Sequence, residues 1–507
     1  PAEAERQLDL LAHPPAPVAL DRPCTVGDGI VQIGAAEGGD LLKLHADAAE
    51  RGRVRVFVPA SGAATRMFRN LIAARGDASL MAAEGLDAAA RAGREEARAL
   101  RGFLAGMDHF AFFGELKVAA ERGGVPLRSL ARSGPYAPIL DALLEADGLG
   151  LRDLPKGLIP FHDYPDGART PFDEHLHEAT QFAADPRSHC RLHFTLSPEH
   201  RAGFEAMLAT AVPRVEERLG VRLEVGFSEQ KPATDTIAAT PEGTPFRTSA
   251  GRLVFRPAGH GALLENLADL DADLVFVKNV DNVAHDRFKR ETFTWSRLLI
   301  GLAARLERTA AALGKRLESV GDDQAVADAL EFLRTTFQRV APGGAAGAGG
   351  AASRADRAAW ARTQLARPIR VCGMVPNTGE PGGGPMWVRG GDGGVTPQIV
   401  ELSQVNSADP AHQRVIDAST HFNPVFMALA LRDANDRAYR LAEFVDERAV
   451  IIVRKSFDGR ELLALERPGL WNGAMAGWNT VFVEVPISVF NPVKTVNDLL
   501  RKEHQAG

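Results

Sequence analysis

Cysteine is scarce in this sequence, with only 3 residues in 507. Cys24, Cys190 and Cys372 lie far apart and form no CxxC or Cys/His spacing, which argues against a disulfide framework or a zinc site and indicates a reducing compartment. No apolar run reaches the roughly 18–20 residues that a membrane-spanning helix needs. The opening residues, PAEAERQLDLLAHPPAP, lack the uninterrupted apolar segment of a signal peptide. We therefore expect a cytoplasmic protein that does not act on membranes.

The sequence also lacks a strong excess of one charge. Its formal net charge is -6, which predicts neither nucleic acid nor an anionic membrane surface as the main partner. Any anionic ligand must therefore be held by a local group of side chains. The composition, 45% hydrophobic and 24% charged, is typical of a globular protein, and the length predicts more than one lobe. Nothing in the sequence decides the oligomeric state.

Strand-like and helix-like segments alternate along the chain, which predicts an α/β fold with a mixed, mainly parallel sheet. RVRVFVPA, GLIPF, CRLHFTL and DLVFVKN have the apolar, β-branched or aromatic character of strands. The strand-like runs near the C-terminus belong either to a smaller lobe or to the edge of the first sheet. The predicted parts are an N-terminal helical extension (1–50), an α/β core (51–340) with a helical insertion (about 70–150) and a helical block (about 295–340), a Gly/Ala linker (341–353) and a C-terminal α/β part (354–507).

The segment VPASGAATRMFRN places small residues directly after the first core strand. Ser61 and Gly62 would let backbone N–H groups approach a phosphate, and Thr65 and Arg66 would open the following helix, whose N-terminus and guanidinium favour anions. The alternative is a tight strand-to-helix turn with an exposed arginine.

The segment LPKGLIPFHDYPDGARTPFDEHLHEAT offers a second cation. Lys156, between Pro155 and Gly157, either holds a triphosphate as a point charge or is a solvated loop lysine. Thr170 before a proline predicts a helix start. His175 and His177 are two residues apart and do not share a helix face, so we do not interpret them as a zinc site.

LVFVKNVDN is a core strand that ends in polar residues. Asp281 is an oxygen donor suited to Mg²⁺, and ligands of open α/β sheets gather at the carboxyl ends of strands. A turn built by Asp and Asn is the alternative. Upstream, Gln230 at a strand end could contact a base, and the alternative is an ordinary polar strand end. Gly259 and His260 of GHG precede a helix and suit a close approach to a ligand, and the alternative is a helix-initiating turn.

Three C-terminal segments add weaker candidates. NTGEPGGGPMWV, which contains Gly383, is either a phosphate cradle or a hairpin loop. STHFNPV, which contains Asn423, is a cluster of polar and aromatic residues in a region that otherwise has the composition of strands. VFNPVKTVNDLL contains Lys494, a cation that could reach phosphates.

Taken in order, these motifs resemble those of the eukaryotic-type UDP-sugar pyrophosphorylases, a family of sugar-phosphate nucleotidyltransferases. SGAATR matches the end of that family's Gly-rich loop, although it has fewer glycines. LPKGLIPF, AGHGALLENL, FVKNVDN and NPVKTVNDLL follow in the family's order. The chain resembles a divergent bacterial branch of this family more than it resembles a close relative. The matching blocks lie across residues 53–300 and 370–500.

The resemblance implies a GT-A-like nucleotide-diphospho-sugar transferase fold and a Mg²⁺-dependent reaction of an NTP, with UTP the first expectation, and a sugar 1-phosphate. A GT-A-type glycosyltransferase that uses an NDP-sugar and a catalytically silent nucleotide- or sugar-binding protein remain the alternatives. The implied roles are catalytic for Arg66, Lys156 and Lys494, nucleotide-binding for Ser61, Gly62, Thr65, Gln230, Gly259 and His260, sugar-binding for Gly383 and Asn423, and metal-binding for Asp281.

Overall fold

A computed structural model describes residues 2–62, 64–319, 322–341, 353–379, 383–390, 394–406 and 408–506. These residues form fifteen α-helices and seventeen β-strands. The helices are α1 Ala2–Ala12, α2 Ala35–Glu50, α3 Arg69–Gly76, α4 Ala83–Arg91, α5 Glu95–Ala105, α6 Phe113–Arg122, α7 Leu127–Ser133, α8 Ala137–Leu144, α9 Pro171–Thr180, α10 Arg201–Leu219, α11 Leu263–Ala268, α12 Arg290–Arg316, α13 Asp323–Phe337, α14 Arg354–Leu365 and α15 Pro410–Asp417. The strands are β1 Leu20–Pro23, β2 Thr25–Val26, β3 Gly29–Val31, β4 Val54–Pro59, β5 His189–Leu196, β6 Arg222–Glu229, β7 Thr236–Ile237, β8 Phe255–Arg256, β9 Leu274–Lys278, β10 Ile369–Pro376, β11 Gly384–Arg389, β12 Val395–Val400, β13 His421–Phe422, β14 Phe426–Ala430, β15 Ile451–Phe457, β16 Arg460–Glu466 and β17 Asn479–Glu484.

The chain divides into two compact units, each assembled from separate stretches of sequence. Unit 1 contains Pro1–Phe57, Ser228–Val277 and Thr294–Ile487, and unit 2 contains Val58–Phe227, Lys278–Phe293 and Ser488–Gly507. The predicted linker 341–353 lies outside the described residues except at its two ends. The lobe boundaries predicted from the sequence therefore stay predictions.

The main sheet of unit 1 runs in the order β2-β3-β17-β10-β14-β9-β4, with β13 also paired to β10. The pairs β2/β3, β3/β17, β17/β10 and β9/β4 are parallel, whereas β10/β14 and β10/β13 are antiparallel. This confirms the predicted mixed, mainly parallel sheet; the GT-A-like assignment stays a prediction. The C-terminal strands β10, β14 and β17 lie in the interior of this sheet and not at its edge, whereas β12 and β15 belong to two separate small sheets. Neither of the two placements that the sequence leaves open therefore holds for all of these strands.

Continuous apolar runs explain why these strands are central. All of β9 and β14 and nearly all of β10 are buried, as expected of strands covered on both faces. Val275, Met374 and Phe482 share one apolar cluster. Each such side chain contributes about 1.5–3 kcal/mol when fully buried.

The helical insertion of unit 2 supplies a separate apolar core. Leu100 and Phe103 of α5 are fully buried there. The ring of Phe103 stacks on Phe110 at 5.2 Å, and Phe110 stacks on Phe112 at 5.0 Å. The strands β5 and β6 are neighbours in the same unit.

One local prediction in unit 2 is wrong. GLIPF is not a strand: Lys156–Leu158 form a 3₁₀ turn, and the chain then pairs through Phe161 and His162 with Arg169. Pro160, which has no N–H, cannot donate to a strand ladder at this point. Nearby, Ser197 precedes the 3₁₀ turn Pro198–His200 that leads into α10, and its hydroxyl donates to the Ser61 carbonyl (3.0 Å) instead of capping that turn.

The predicted start of α9 is confirmed. Thr170 and Asp173 form a reciprocal capping box, and Pro171 occupies the first turn, where its missing N–H costs nothing. Every α9 residue from Pro171 to Ala179 is buried, including its charged side chains. None of the helices in the described ranges combines the length and the hydropathy that crossing a membrane requires.

Candidate active site

The lysine that ends β9 points into the protein. Lys278 is buried (2% exposed), and its ammonium donates to Glu178 Oε2 at 2.6 Å. Burial lowers the pKa of Lys278, and the Glu178 carboxylate opposes that shift. Lys278 is therefore a structural cation, and the ligand-facing chemistry begins with the residues that follow it.

The loop after β9 is held by hydrogen bonds on both sides of Val280. The Val280 carbonyl accepts from His175 Nε2 at 3.1 Å, and the Val280 N–H donates to the Pro59 carbonyl at 3.3 Å. Burial lowers the pKa of His175 to about 4, so the ring is neutral with its proton on Nε2. His175 therefore stabilises the loop after β9. Neither its hydrogen bond to Val280 nor its position on α9 indicates a metal ligand.

Lys156 and Asp281 form the centre of the candidate site. The Lys156 ammonium donates to Asp281 Oδ2 and to the Val493 carbonyl, both at 2.7 Å. The two side chains are 13% and 19% exposed. Lys156 is therefore an ordered, largely buried cation, and the solvated-loop alternative is wrong.

The small-residue loop lies directly beside Lys156. The Lys156 N–H donates to the Gly62 carbonyl at 3.3 Å, and the Ala64 N–H donates to the Leu154 carbonyl at 3.0 Å. Thr65 Oγ1 donates to the Arg152 carbonyl at 3.4 Å, a long hydrogen bond. The structure thus brings together two segments that are far apart in sequence, as the motifs predict.

The prediction that Thr65 and Arg66 open an α-helix is wrong. Ala64–Arg66 form a single 3₁₀ turn, and α3 begins at Arg69. The Met67 carbonyl accepts from the Val496 N–H at 3.1 Å, so it is engaged by another segment at the point where a helix would need it. The loop consequently lacks the helix N-terminus that was expected to attract phosphate.

Two more predicted cations belong to unit 2. Arg66 is exposed and makes no ion pair or side-chain hydrogen bond with another described residue. Lys494 is half-buried, with its ammonium 5.9 Å from the centre of the Phe490 ring. Its backbone N–H donates to Asp498 Oδ2 at 2.8 Å, which fixes the turn that follows.

Asn282 joins the Asp281 loop to the C-terminal segment that carries Lys494. Its Oδ1 accepts from the Asn491 N–H at 2.8 Å, and its Nδ2 donates to the Val489 carbonyl at 3.2 Å. The Val493 N–H in turn donates to the Asp281 carbonyl at 3.1 Å. These contacts place the Val493 carbonyl within reach of Lys156.

The donor set suits a magnesium ion only in one arrangement. No group of three or more His, Cys, Asp or Glu side chains in the described ranges could hold a metal ion. Asp281 offers one carboxylate, and its Oδ2 already accepts from Lys156. A single carboxylate fits Mg²⁺ that takes its other ligands from nucleotide phosphates and water. The residues thus fit a metal that arrives with its substrate.

His260, in unit 1, is fixed by contacts on three sides. Its Nδ1 accepts from the Leu470 N–H at 3.0 Å, so Nε2 carries the proton and donates to Glu401 Oε1 at 3.1 Å. The Trp471 indole stacks on the imidazole with ring centres 4.1 Å apart. Gly259 next to it has φ +73°, a conformation that favours glycine.

The other predicted ligand residues of unit 1 fall in separate local structures. Gln230 donates to Asp235 Oδ1 at 3.4 Å, so its amide serves its own loop. Gly383 and Asn423 are brought together, since the Asn423 N–H donates to the Gly383 carbonyl at 3.0 Å. Asn423 Oδ1 accepts from the Val425 N–H at 3.1 Å, in a turn where Val425 has φ +54°.

A family model described as a domain of unknown function, DUF4301, matches residues 1–505. The chain belongs to the DUF4301 family. None of the curated protein sequences matches it.

Two solved structures similar to this DUF4301 chain are UDP-sugar enzymes of protozoa. The uridine diphosphate N-acetylglucosamine pyrophosphorylase of Trypanosoma brucei, solved with an inhibitor, is 14% identical with a TM-score of 0.47, covering 99% of this chain and 74% of that one. The UDP-glucose pyrophosphorylase of Leishmania major, solved in open and closed structures, is 14% identical with a TM-score of 0.44, covering 98% and 74%. At these values, the likeness does not carry an argument about ligand or reaction.

A buried polar network in unit 2 was not predicted from the sequence. Glu174, with no exposed surface, accepts from His162 Nδ1 at 2.7 Å, from the Tyr164 hydroxyl at 2.9 Å and from the Lys289 ammonium. Lys289 and His162 hold the pKa of Glu174 well below its usual range despite its burial. His504 stacks on His162 with ring centres 5.2 Å apart. Charged side chains on α9 resemble a solvated helix face, so only the surrounding tertiary structure reveals them.

Other residues that sequence reasoning missed gave weak signals. The Val493 carbonyl is a backbone group, so no side chain in the sequence indicates its role. Asn282 follows Asp281 directly, and Trp471 lies in WNGAMAGWNT, a cluster of polar and aromatic residues whose partner could not be named. The sequence does not identify Glu178 as the partner of Lys278. It indicates only that a lysine at the end of a buried apolar strand requires a buried anion.

Proposed function

We propose that this protein is a nucleotidyltransferase that joins an NTP and a sugar 1-phosphate to give an NDP-sugar and pyrophosphate. The observation that carries the proposal is the position of the Lys156 ammonium, which bridges Asp281 Oδ2 and the Val493 carbonyl beside the Gly62 loop. Asp281 lies in the loop that follows the core strand β9, and Lys156 contacts the Gly62 loop that follows the core strand β4. Such strand ends are where open α/β sheets bind phosphorylated ligands.

The charges within unit 2 fit a triphosphate. Arg66 is an exposed guanidinium with no described partner, suited to bidentate contact with phosphate oxygens. Lys156 is a point charge held by two hydrogen bonds, and Lys494 adds a third cation in the segment that Asn282 binds. Ser61, Gly62 and Thr65 supply the small-residue surface that lets phosphate approach the backbone. Because the chain carries a formal net charge of -6, this local group is needed to hold an anion.

The proposed chemistry needs no covalent enzyme intermediate. An oxygen of the sugar 1-phosphate attacks the α-phosphorus of the NTP in line, and the bond to the pyrophosphate oxygen breaks. Lys156 and Arg66 stabilise the charge that develops on the phosphate oxygens, and holding both substrates in one orientation lowers the entropic barrier. A magnesium ion bound with the nucleotide at Asp281 would neutralise further phosphate charge.

The unit 1 residues are proposed as base and sugar contacts. Within unit 1, the motif resemblance supports Gln230, Gly259 and His260 as nucleoside contacts and Gly383 and Asn423 as sugar contacts. His260 would act through fixed shape, because both of its ring nitrogens are already engaged by Leu470 and Glu401. It is therefore proposed as a positioning residue, with no proton transfer assigned to it.

A matrix of NTPs against sugar 1-phosphates, with Mg²⁺ and a pyrophosphate readout, tests the proposal. Pyrophosphate release that requires both substrates is the expected result, and the active cell names the base and the sugar. Release of NDP from an NDP-sugar, with no pyrophosphate from any pair, would contradict the proposal and favour a GT-A-type glycosyltransferase.

A catalytically silent nucleotide-binding protein is the second candidate. The observation that favours it is that Lys156 already neutralises Asp281, the one predicted metal ligand. The loop also lacks both the extra glycines and the helix N-terminus of an ideal phosphate cradle. Calorimetric binding of UTP without product in any cell of the matrix would support this candidate and contradict the nucleotidyltransferase.

A further inference from the structure

A cavity of about 540 Å³ opens among the helices of the insertion in unit 2. Its walls come from α4, α5 and α7, together with the 3₁₀ turn Met107–His109, Phe113 at the start of α6 and Tyr136 directly before α8. A volume of this size falls within the roughly 300–1,000 Å³ range of small-molecule sites. None of the candidate active-site residues lines it.

Three arginines line this cavity and are unpaired. Arg101 of α5 and Arg128 and Arg132 of α7 make no ion pair or side-chain hydrogen bond with another described residue. Of the other arginines in the insertion, Arg75 is paired with Asp141, and Arg94 with Asp77 and Glu96, whereas Arg98 and Arg122 also have no described side-chain partner. The lining therefore includes three exposed arginines, none of which is paired with another residue in the described ranges.

Carboxylates in the lining do not balance these arginines. Asp87 and Asp108 are the acidic residues of the lining, and Asp108 is 3.0 Å from His109. The lining therefore has an excess of positive charge. Arginine forks bind phosphate and carboxylate oxygens in pairs, and a phosphomonoester carries about -1.5 to -2 charge at neutral pH. Three arginines offer more paired N–H donors than one carboxylate can accept, whereas a phosphomonoester presents three acceptor oxygens.

The rest of the cavity is apolar apart from one hydroxyl. Leu86, Leu104, Met107 and Phe113 contribute side chains to the lining. Tyr136 is 4% exposed, and its hydroxyl has no hydrogen-bond partner among the described residues. Burial first, and then the Asp87 charge, raise the pKa of Tyr136, so the hydroxyl stays a neutral donor. An apolar body with a polar oxygen would satisfy both surfaces.

The α5 wall is held in place from its other side. Asn497 Nδ2 donates to the Ala99 carbonyl at 2.9 Å. A Cβ added at Gly106 would lie 2.6 Å from Leu500 Cδ1, so the chain packs tightly where α5 ends. A fixed wall reduces the ordering cost that a ligand must overcome on binding.

We propose that this cavity binds a phosphomonoester with a small apolar body, with Arg101, Arg128 and Arg132 on the phosphate. The apolar body contacts the side chains of Leu104 and Phe113. The site is independent of the proposed nucleotidyltransferase function, because it uses none of the residues assigned to that reaction.

Calorimetric titration of the full chain with phenyl phosphate tests this inference. We expect saturable binding with a Kd of about 1 mM or below, and binding of inorganic phosphate at least about tenfold weaker. Substituting both Arg101→Gln and Arg128→Gln should weaken phenyl phosphate about tenfold or more. Arg122→Gln on α6, an exposed arginine outside the cavity lining, is the matched control and should bind like the wild type.

Each opposite outcome overturns the inference. Absence of saturable phenyl phosphate binding up to about 10 mM contradicts a useful site. Unchanged binding in the Arg101→Gln/Arg128→Gln variant would show that phenyl phosphate binds outside this cavity. Loss of binding in Lys156→Gln would show that it binds at the candidate active site. Inorganic phosphate binding as tightly as phenyl phosphate contradicts the apolar part of the site. The arginines are exposed, so circular dichroism of the variants should match the wild type.

Discussion

Lys278 donates to Glu178 across 2.6 Å in the interior of unit 2, shortly before the chain reaches Asp281. The lysine ends β9, and the glutamate lies on α9 one turn beyond His175, which holds Val280. The candidate catalytic loop thus starts from a buried ion pair and a buried histidine contact. The positions of Lys156 and Asp281 rest on this support.

Breaking the buried pair on one side should strongly destabilise the protein. Lys278→Met removes the hydrogen-bonded partner of the buried Glu178 carboxylate and leaves it only the Lys289 ammonium, 3.9 Å from Glu178 Oε1, so we expect a loss of about 3–5 kcal/mol. The double variant Lys278→Met/Glu178→Leu should recover much of that loss, since two apolar side chains replace two charges. Urea unfolding of wild type, single and double variants measures the difference. A single variant as stable as the wild type would contradict the described geometry.

Asn282→Ala should impair activity more than stability. The substitution removes two hydrogen bonds that hold the segment with Val489 and Asn491 against the Asp281 loop. The Val493 carbonyl would then no longer be fixed beside Lys156. We expect kcat to fall about 10–100-fold, with a stability loss of about 1–3 kcal/mol.

Asn282→Asp is the matched comparison for that prediction. It keeps the acceptor for the Asn491 N–H but loses the donor to the Val489 carbonyl. Activity between that of Asn282→Ala and the wild type is expected from steady-state kinetics. Wild-type kcat in both variants would show that this residue does not position the site.

Stability should fall in mild acid because of buried histidines. Burial lowers the pKa of His177 to about 4 and that of His504 to about 2. Unfolded, both titrate near 6.5, so below that pH the unfolded chain binds protons that the folded chain excludes. Their contribution is complete above about pH 6.5 and is lost as the pH falls towards the folded values, at up to about 1.4 kcal/mol per pH unit for each.

Urea unfolding at several pH values between about 7.5 and 5 measures this slope. His177→Gln should flatten it, because one proton uptake on unfolding is removed. His13→Gln, at a histidine that is 78% exposed, is the control and should leave the slope unchanged. An equal slope in wild type and His177→Gln would contradict the prediction.

The glycine after His260 should not tolerate a side chain. A Cβ added at Gly261 would lie 2.2 Å from the Pro468 carbonyl oxygen, so Gly261→Ala must move the backbone and should cost about 1–3 kcal/mol or more. Gly39→Ala on α2 is the control, because a Cβ there meets nothing within 4 Å. That control should raise stability by about 0.5–1 kcal/mol, as for a helical glycine. Equal thermal shifts for the two variants would contradict the packing around His260.

The sequence predicts which segments form the candidate site better than it predicts how they are held. The motif order brought Gly62, Lys156 and Asp281 together, and the structure places their loops in contact within unit 2. The buried pair of Glu178 and Lys278 could not be predicted, since charged residues at helical spacing normally indicate a solvated face. Only the packing of α9 against the residues after β9 reverses that expectation.

The local backbone conformation of two segments could not be predicted from the sequence either. The run SGAATRMFR has the composition of a helix start, yet the Met67 carbonyl is engaged by Val496, far along the chain, and α3 begins only at Arg69. GLIPF has a strand's composition, but Pro160 and the pairing to Arg169 divert it. Such long-range hydrogen bonds outweigh local propensity.

Pyrophosphate release by Lys156→Gln tests the central claim most directly. With the NTP and sugar 1-phosphate pair that supports turnover, the wild type should release pyrophosphate, and Lys156→Gln should be about 10²–10³-fold slower. Lys117→Gln, an exposed lysine of α6, should match the wild type, and urea unfolding should show all three chains folded. A wild-type rate from Lys156→Gln would contradict the role assigned to this site.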